Sequence, residues 1–162
     1  MFSQLIVNGT FATDSDWTKG TGWTISGGAA VATNVNNARI QQTIPVVAGR
    51  KYKFTWQLVS RTEGQFQSEF LKASNLSIFF QGTETPTPGI YTETITIPDG
   101  ETSIIVSVRG RFGSGGADGT IDNLRLQKLS PFNDIIKPAD VPTPIFNDII
   151  RTYAGEEPWQ AK

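Results

Sequence analysis

Lys51-Tyr52-Lys53-Phe54-Thr55-Trp56-Gln57-Leu58 is the stretch that decides the fold. Tyr52, Phe54, Trp56 and Leu58 share one face of a period-two pattern, and Lys53, Thr55 and Gln57 share the other, as in a strand with one side in a core and one in water. Working outward, residues 23–26, 29–33, 39–46, 76–81, 91–97, 102–109 and 120–127 form similar alternating or apolar runs bounded by Gly, Asn, Asp and Pro. Gly27-Gly28 and Pro98-Asp99-Gly100 predict hairpin turns. Strands recurring every ~10 residues, with no amphipathic helix among them, predict an all-β fold of two antiparallel sheets packed as a sandwich or jelly roll. Residues 61–74, which carry Phe66, Phe70 and Leu71, read as the longest connection inside the domain, a surface loop with a short helical turn. The glycine-rich segment 113–119 (GSGGADG) opens a strand rather than a helix, so it reads as a hairpin loop and not as a phosphate cradle.

Composition narrows the chemistry. The 162 residues include neither histidine nor cysteine, which removes Ser-His-Asp and Cys-His nucleophilic catalysis, thiolate chemistry, disulfides and the usual zinc, haem and iron–sulfur ligand sets. Fourteen Lys+Arg stand against fifteen Asp+Glu, a net charge of -1, so no basic surplus draws the chain to nucleic acid or anionic lipid. No stretch approaches a membrane span. The segment Met1-Phe2-Ser3-Gln4-Leu5-Ile6-Val7 has neither the basic start nor the apolar length of a signal peptide. Synthesis in a cytoplasm, with release by cell lysis, is the expectation.

The pattern changes after Leu129, giving a predicted sandwich over residues 1–129 and an extended tail over 130–162. Five of the nine prolines, Pro131, Pro138, Pro142, Pro144 and Pro158, fall in the tail and exclude a long helix or a central strand there. Phe132-Asn133-Asp134-Ile135-Ile136 recurs unchanged as Phe146-Asn147-Asp148-Ile149-Ile150, and Tyr153 and Trp159 follow. Flexible linkers avoid so many large apolar residues. Burying the three apolar side chains of one copy yields ~5–9 kcal/mol gross, against ~5–10 kcal/mol to order its five backbone residues. One copy is marginal alone; two linked copies reinforce each other through effective concentration. The repeat and Trp159 are therefore the candidate partner-binding residues, docking on a different protein or packing on this domain or a second copy of it.

Leu5-Ile6-Val7-Asn8-Gly9-Thr10-Phe11, Asp16-Trp17, Gly22-Trp23-Thr24, Gln42-Thr43-Ile44, Gly49-Arg50-Lys51-Tyr52 and Ile121-Asp122-Asn123-Leu124-Arg125-Leu126 resemble the carbohydrate-binding modules of families 4 and 9 over about residues 3–129. Those modules open on an N-G-x-F strand, carry an early G-W and close on an I-D-D/N-x-x-L strand. The resemblance implies a galactose-binding-like jelly roll. The run W-T-x-G-x-G-W-T-I is also similar to domains of tailed-bacteriophage virion proteins. From the resemblance and the tail together, the expected function is a non-enzymatic virion structural protein, a capsid decoration or accessory protein in many copies. Its expected partner is the major capsid protein, another virion protein or a second copy of itself. The alternative is a glycan-binding adsorption module of a tail or head fibre, with cell-surface polysaccharide as partner.

Sugar recognition calls for exposed aromatic faces. Trp17, Tyr91 and Phe112, with Phe66 and Phe70, are the candidates, Trp17 being read either as packing under the first loop or as a glycan platform. Trp23 and Trp56 sit within strand patterns and read as core. Asp122 shares strand parity with Leu124 and Leu126 and is expected to point inward, where a charge needs a partner. The resemblance implies a structural calcium ion held by Asn8 and Asp122 with backbone carbonyls; the competing reading has Asp122 accept backbone N–H groups or pair with Arg39 or Arg125. No other cofactor is expected. Asp14 and Asp16 read as turn formers before Trp17 and Glu156-Glu157 as solvated, which leaves no carboxylate pair for glycoside hydrolysis.

Overall fold

A computed structural model describes residues 4–111 and 116–129. These residues form ten strands and no helix: β1 (Thr18–Lys19), β2 (Trp23–Ser26), β3 (Ala29–Val35), β4 (Arg39–Pro45), β5 (Lys51–Glu63), β6 (Gln65–Lys72), β7 (Ile78–Gln81), β8 (Gly89–Thr96), β9 (Ser103–Arg111) and β10 (Ala117–Lys128). Two five-stranded antiparallel sheets pack face to face, one ordered β2-β3-β10-β5-β8 and the other β1-β4-β9-β6-β7. The expected all-β sandwich is therefore what the chain builds. The last strand ends at Lys128. The proposed docking tail, with both pentapeptides and Trp159, lies outside the described residues.

The alternation over β5 resolves as expected. Tyr52, Phe54, Trp56 and Leu58 are buried and meet Ile121, Leu124 and Leu126 of β10 in a core that Trp23, Phe66, Phe70 and Val106 enter from other strands. Phe54 and Phe70 pack edge to face across the two sheets, with ring centroids 5.2 Å apart.

Residues 61–74 are the main departure. They are not a loop: β5 runs on to Glu63, turns at Gly64 and continues as β6, an interior strand of the opposite sheet between β7 and β9. Gly64 makes the corner possible. Its φ is +69°, and a Cβ there would lie 2.6 Å from the Ala117 Cα. Phe66 and Phe70 are core residues as a result. Two expected hairpins also differ. Pro98-Asp99-Gly100 joins β8 of one sheet to β9 of the other, and β9 and β10 likewise lie in opposite sheets.

The opening motif has a physical role. Gly9 accepts a 2.8 Å hydrogen bond from the Leu124 amide, and a Cβ on Gly9 would fall 2.1 Å from the Leu124 oxygen. Only glycine permits that approach. Phe11, two residues on, is buried against Trp17 with centroids 5.1 Å apart. On β10 the ladder slips between Asp122 and Arg125, where Asn123 takes a φ of +56°. The bulge turns Leu124 into the core beside Ile121 and leaves Asp122 on the outer side opposite Gln57. Strand parity alone put Asp122 inward; the extra residue reverses it.

Two side chains set measurable expectations. Phe70→Ala should destabilise the fold by about 3–5 kcal/mol, read by chemical denaturation. Glu93 of β8 faces the sandwich interior, where Ser68 Oγ donates to its carboxylate. Burial pushes its pKa up, with the Ser68 hydrogen bond opposing. For a carboxyl raised in the folded state, stability falls as pH rises from the unfolded pKa through the folded one. Glu93→Gln should therefore raise the melting temperature at neutral pH, and the gain should vanish below the ordinary glutamate range.

Candidate functional site

Strands β6 and β9 are buried along both faces: six consecutive residues of β6 and five of β9 are hidden from solvent. Phe66, Ser68 and Phe70 point into the sandwich, so alternation sends Gln67, Glu69 and Leu71 to the outer side. Register with β9 and β4 arranges that outer face in three rows. Gln67, Arg109 and Arg39 form the first, Glu69, Ser107 and Gln41 the second, and Leu71, Ile105 and Thr43 the third. Leu71 and Ile105 are buried yet stand apart from the main core.

Glu69 organises the face. Its carboxylate has no exposed surface and accepts from Arg39 Nε at 2.5 Å, Arg109 Nη1 at 2.7 Å and Gln81 Nε2 at 2.7 Å. The network extends sideways through 2.9 Å bonds from Arg109 Nη2 to Asn37 Oδ1 and from Arg111 Nη1 to Gln67 Oε1, and Arg111 pairs with Glu84 at 2.6 Å. Burial raises the Glu69 carboxyl, but the hydrogen bonds from Arg39 and Gln81 and the charges of Arg39 and Arg109 outweigh it and hold the group below the usual carboxylate range. The stability this brings persists above the unfolded pKa and is lost as the pH falls through the lowered one. A carboxylate so held stays ionised and is poorly suited to deliver a proton.

The outer side of the other sheet is more open. Lys53, Thr55 and Gln57 of β5, Ile90 of β8 and Asn123, Arg125 and Gln127 of β10 line a groove of about 460 Å³. Asn123 Nδ2 donates to Gln57 Oε1 at 2.9 Å, and Ile90 is 71% exposed.

The residues singled out from sequence are not brought together. Trp17 is 8% exposed, packs on Phe11 and donates Nε1 to the Asn8 carbonyl at 3.0 Å; its ring serves the packing of the first loop and is closed to a stacking sugar. Tyr91 lies against Trp56 at 5.1 Å with its hydroxyl donating to the Thr87 carbonyl, on the edge strand β8 and apart from the Glu69 face. Phe112 lies outside the described residues. Asn8 donates Nδ2 to the carbonyls of Thr13 and Ser15, while Asp122 accepts from the Asn123 amide at 2.6 Å. Each side chain is thus held by local bonds of its own, and among the described residues no bond joins the two. Among the described residues no group of three or more His, Cys, Asp or Glu could hold a metal. Asp14 pairs with Lys19, and Asp16 sits in a turn at φ +68°.

Glu69, Arg39, Arg109 and Gln67 escaped the sequence reading as site residues. The signal is the alternation of Gln65, Gln67 and Glu69 with Phe66 and Phe70, which a loop over residues 61–74 conceals.

No protein-family model and no curated protein matches the chain. Solved structures do. A carbohydrate-binding module of the CBM4 type aligns with a TM-score of 0.61 at 17% identity, covering 76% of this chain and 99% of that one. The module TmCBM61 in complex with β-1,4-galactotriose aligns at 0.53 and 18%, covering 78% and 99%. The enzymatically active domain of tailspike protein 4 of bacteriophage CBA120 aligns at 0.58 and 20%, covering 78% of this chain and 21% of that one. At such identities the likeness is one of fold: the sandwich is the jelly roll shared by carbohydrate-binding modules.

Proposed function

We propose that the chain is a non-catalytic glycan-binding module whose binding face is the outer side of β4, β9 and β6. The observation that carries this reading is the sheltered, locked polar face built on Glu69. An outer face needed only for solubility has no reason to bury an ion pair, whose desolvation offsets most of its Coulombic gain. A binding face does: planar amide and guanidinium groups fixed in advance meet sugar hydroxyls with little further loss of side-chain freedom. The jelly-roll fold, shared with a module in complex with β-1,4-galactotriose, supports the same reading.

The likeness to a tailspike domain supports an adsorption role, in which the module lengthens the stay of a phage particle on surface polysaccharide. A decoration role would rest on residues 130–162 and gains no support from the described face.

Titration of the full chain against a panel of soluble polysaccharides tests the site. Arg39→Ala and Gln41→Ala should each weaken binding about tenfold, the loss of ~1.4 kcal/mol expected of a hydrogen bond to a charged or well-placed polar group. Arg125→Ala, in the groove of the opposite sheet, should bind like the parent. The reverse pattern would move the site to that groove.

A further inference from the structure

We infer that the Glu69 face selects an acidic polysaccharide, with a uronate carboxylate received by Arg39; the inference rests on the glycan-binding reading above. Three guanidinium groups, those of Arg39, Arg109 and Arg111, share the face with two carboxylates, Glu69 and Glu84. The formal balance is 3 − 2, one positive charge in excess. Of the two carboxylates, Glu69 is the less accessible, while Glu84 is 41% exposed and is paired with Arg111. Glu69 lies beneath the arginines with no exposed surface, whereas the side chains of Arg39 and Arg109 are 28% and 15% exposed. Beside Arg39 and Arg109 an arriving ligand meets guanidinium before carboxylate, and Glu84 stands against Arg111, two residues farther along β9.

Donors outnumber acceptors as well. Arg39 spends only Nε on Glu69, and among the described residues no acceptor stands against its two Nη groups. Arg109 is already committed, giving Nη1 to Glu69 and Nη2 to Asn37, and its buried Nε, which among the described residues meets no acceptor, is out of a surface ligand's reach. Such a surplus is completed by a group that only accepts and carries negative charge. A carboxylate matches the paired Nη groups of one guanidinium bidentately. A neutral hydroxyl accepts less well and leaves the excess charge in place.

Affinity electrophoresis of the full chain at neutral pH and low salt, in gels holding polygalacturonate, its fully methyl-esterified form or dextran sulfate, decides the matter. Retardation by polygalacturonate, at least tenfold weaker for the esterified polymer and reduced by added salt, is expected. Arg39→Gln should lose about tenfold of that binding. Gln41→Glu, which adds a negative charge to the second row and leaves every ion pair intact, should lose as much or more, with an unchanged melting curve. Equal retardation by the acidic and esterified polymers would overturn acid selection while leaving the glycan-binding reading standing. Retardation by dextran sulfate alone would overturn the uronate assignment in favour of sulfate esters. No retardation by any of these or by the neutral panel would remove both.

Discussion

A carboxylate withdrawn from water and gripped from three sides constrains this molecule more than any other group. Glu69 on β6 is held by Arg39 of β4, Arg109 of β9 and Gln81 of β7, so one side chain ties together four of the five strands of its sheet. Neither charge partner is expendable in isolation: removing the acid would leave two guanidinium groups crowded together, and removing an arginine would leave a buried anion short of donors. The same geometry explains why the face is orderly. Each long side chain that could wander is tied to a neighbour.

The backbone makes room for that arrangement at a few glycines. The corner at Gly64 lets a single run of chain serve both sheets, first as the strand that carries Trp56 and then as the strand that carries Glu69. Core and candidate site are therefore consecutive in sequence, and the packing of Phe66 and Phe70 beneath the sheet fixes the height at which Gln67 and Glu69 stand above it. Gly9 performs a similar service at the seam where the opening segment meets β10.

The fold was legible wherever apolar and polar residues alternated and the turn residues were plain. Tyr52 to Leu58 gave β5 its orientation, and Trp23 and Trp56 were recognised as core. The site was not legible, because β6 is covered on both sides while half its residues are Gln, Ser and Glu. Composition alone assigns such a stretch to solvent, and only its register against Arg109 and Arg39 reveals the ion pairs that let it be buried. Asp122 failed for a different reason: a bulge at Asn123 is one residue long, and parity carries no warning of it. Trp17 was visible as an aromatic ring in a loop, but whether a loop folds over its own ring depends on contacts, here with Phe11 and the Asn8 carbonyl.

The way the opening segment is sewn to the last strand has a consequence of another kind. Gln4 bridges Gln127 and its side chain clasps the Leu124 carbonyl and the Leu126 amide, while Leu5 donates to Leu126 and Leu129 donates to Lys51. Entry to and exit from the sandwich thus lie side by side. A body whose two doors share one wall can be spliced into a surface loop of a larger host without prising that loop apart. The architecture is in this sense portable: it can ride as a guest on an unrelated scaffold while the face built on Glu69 is left undisturbed.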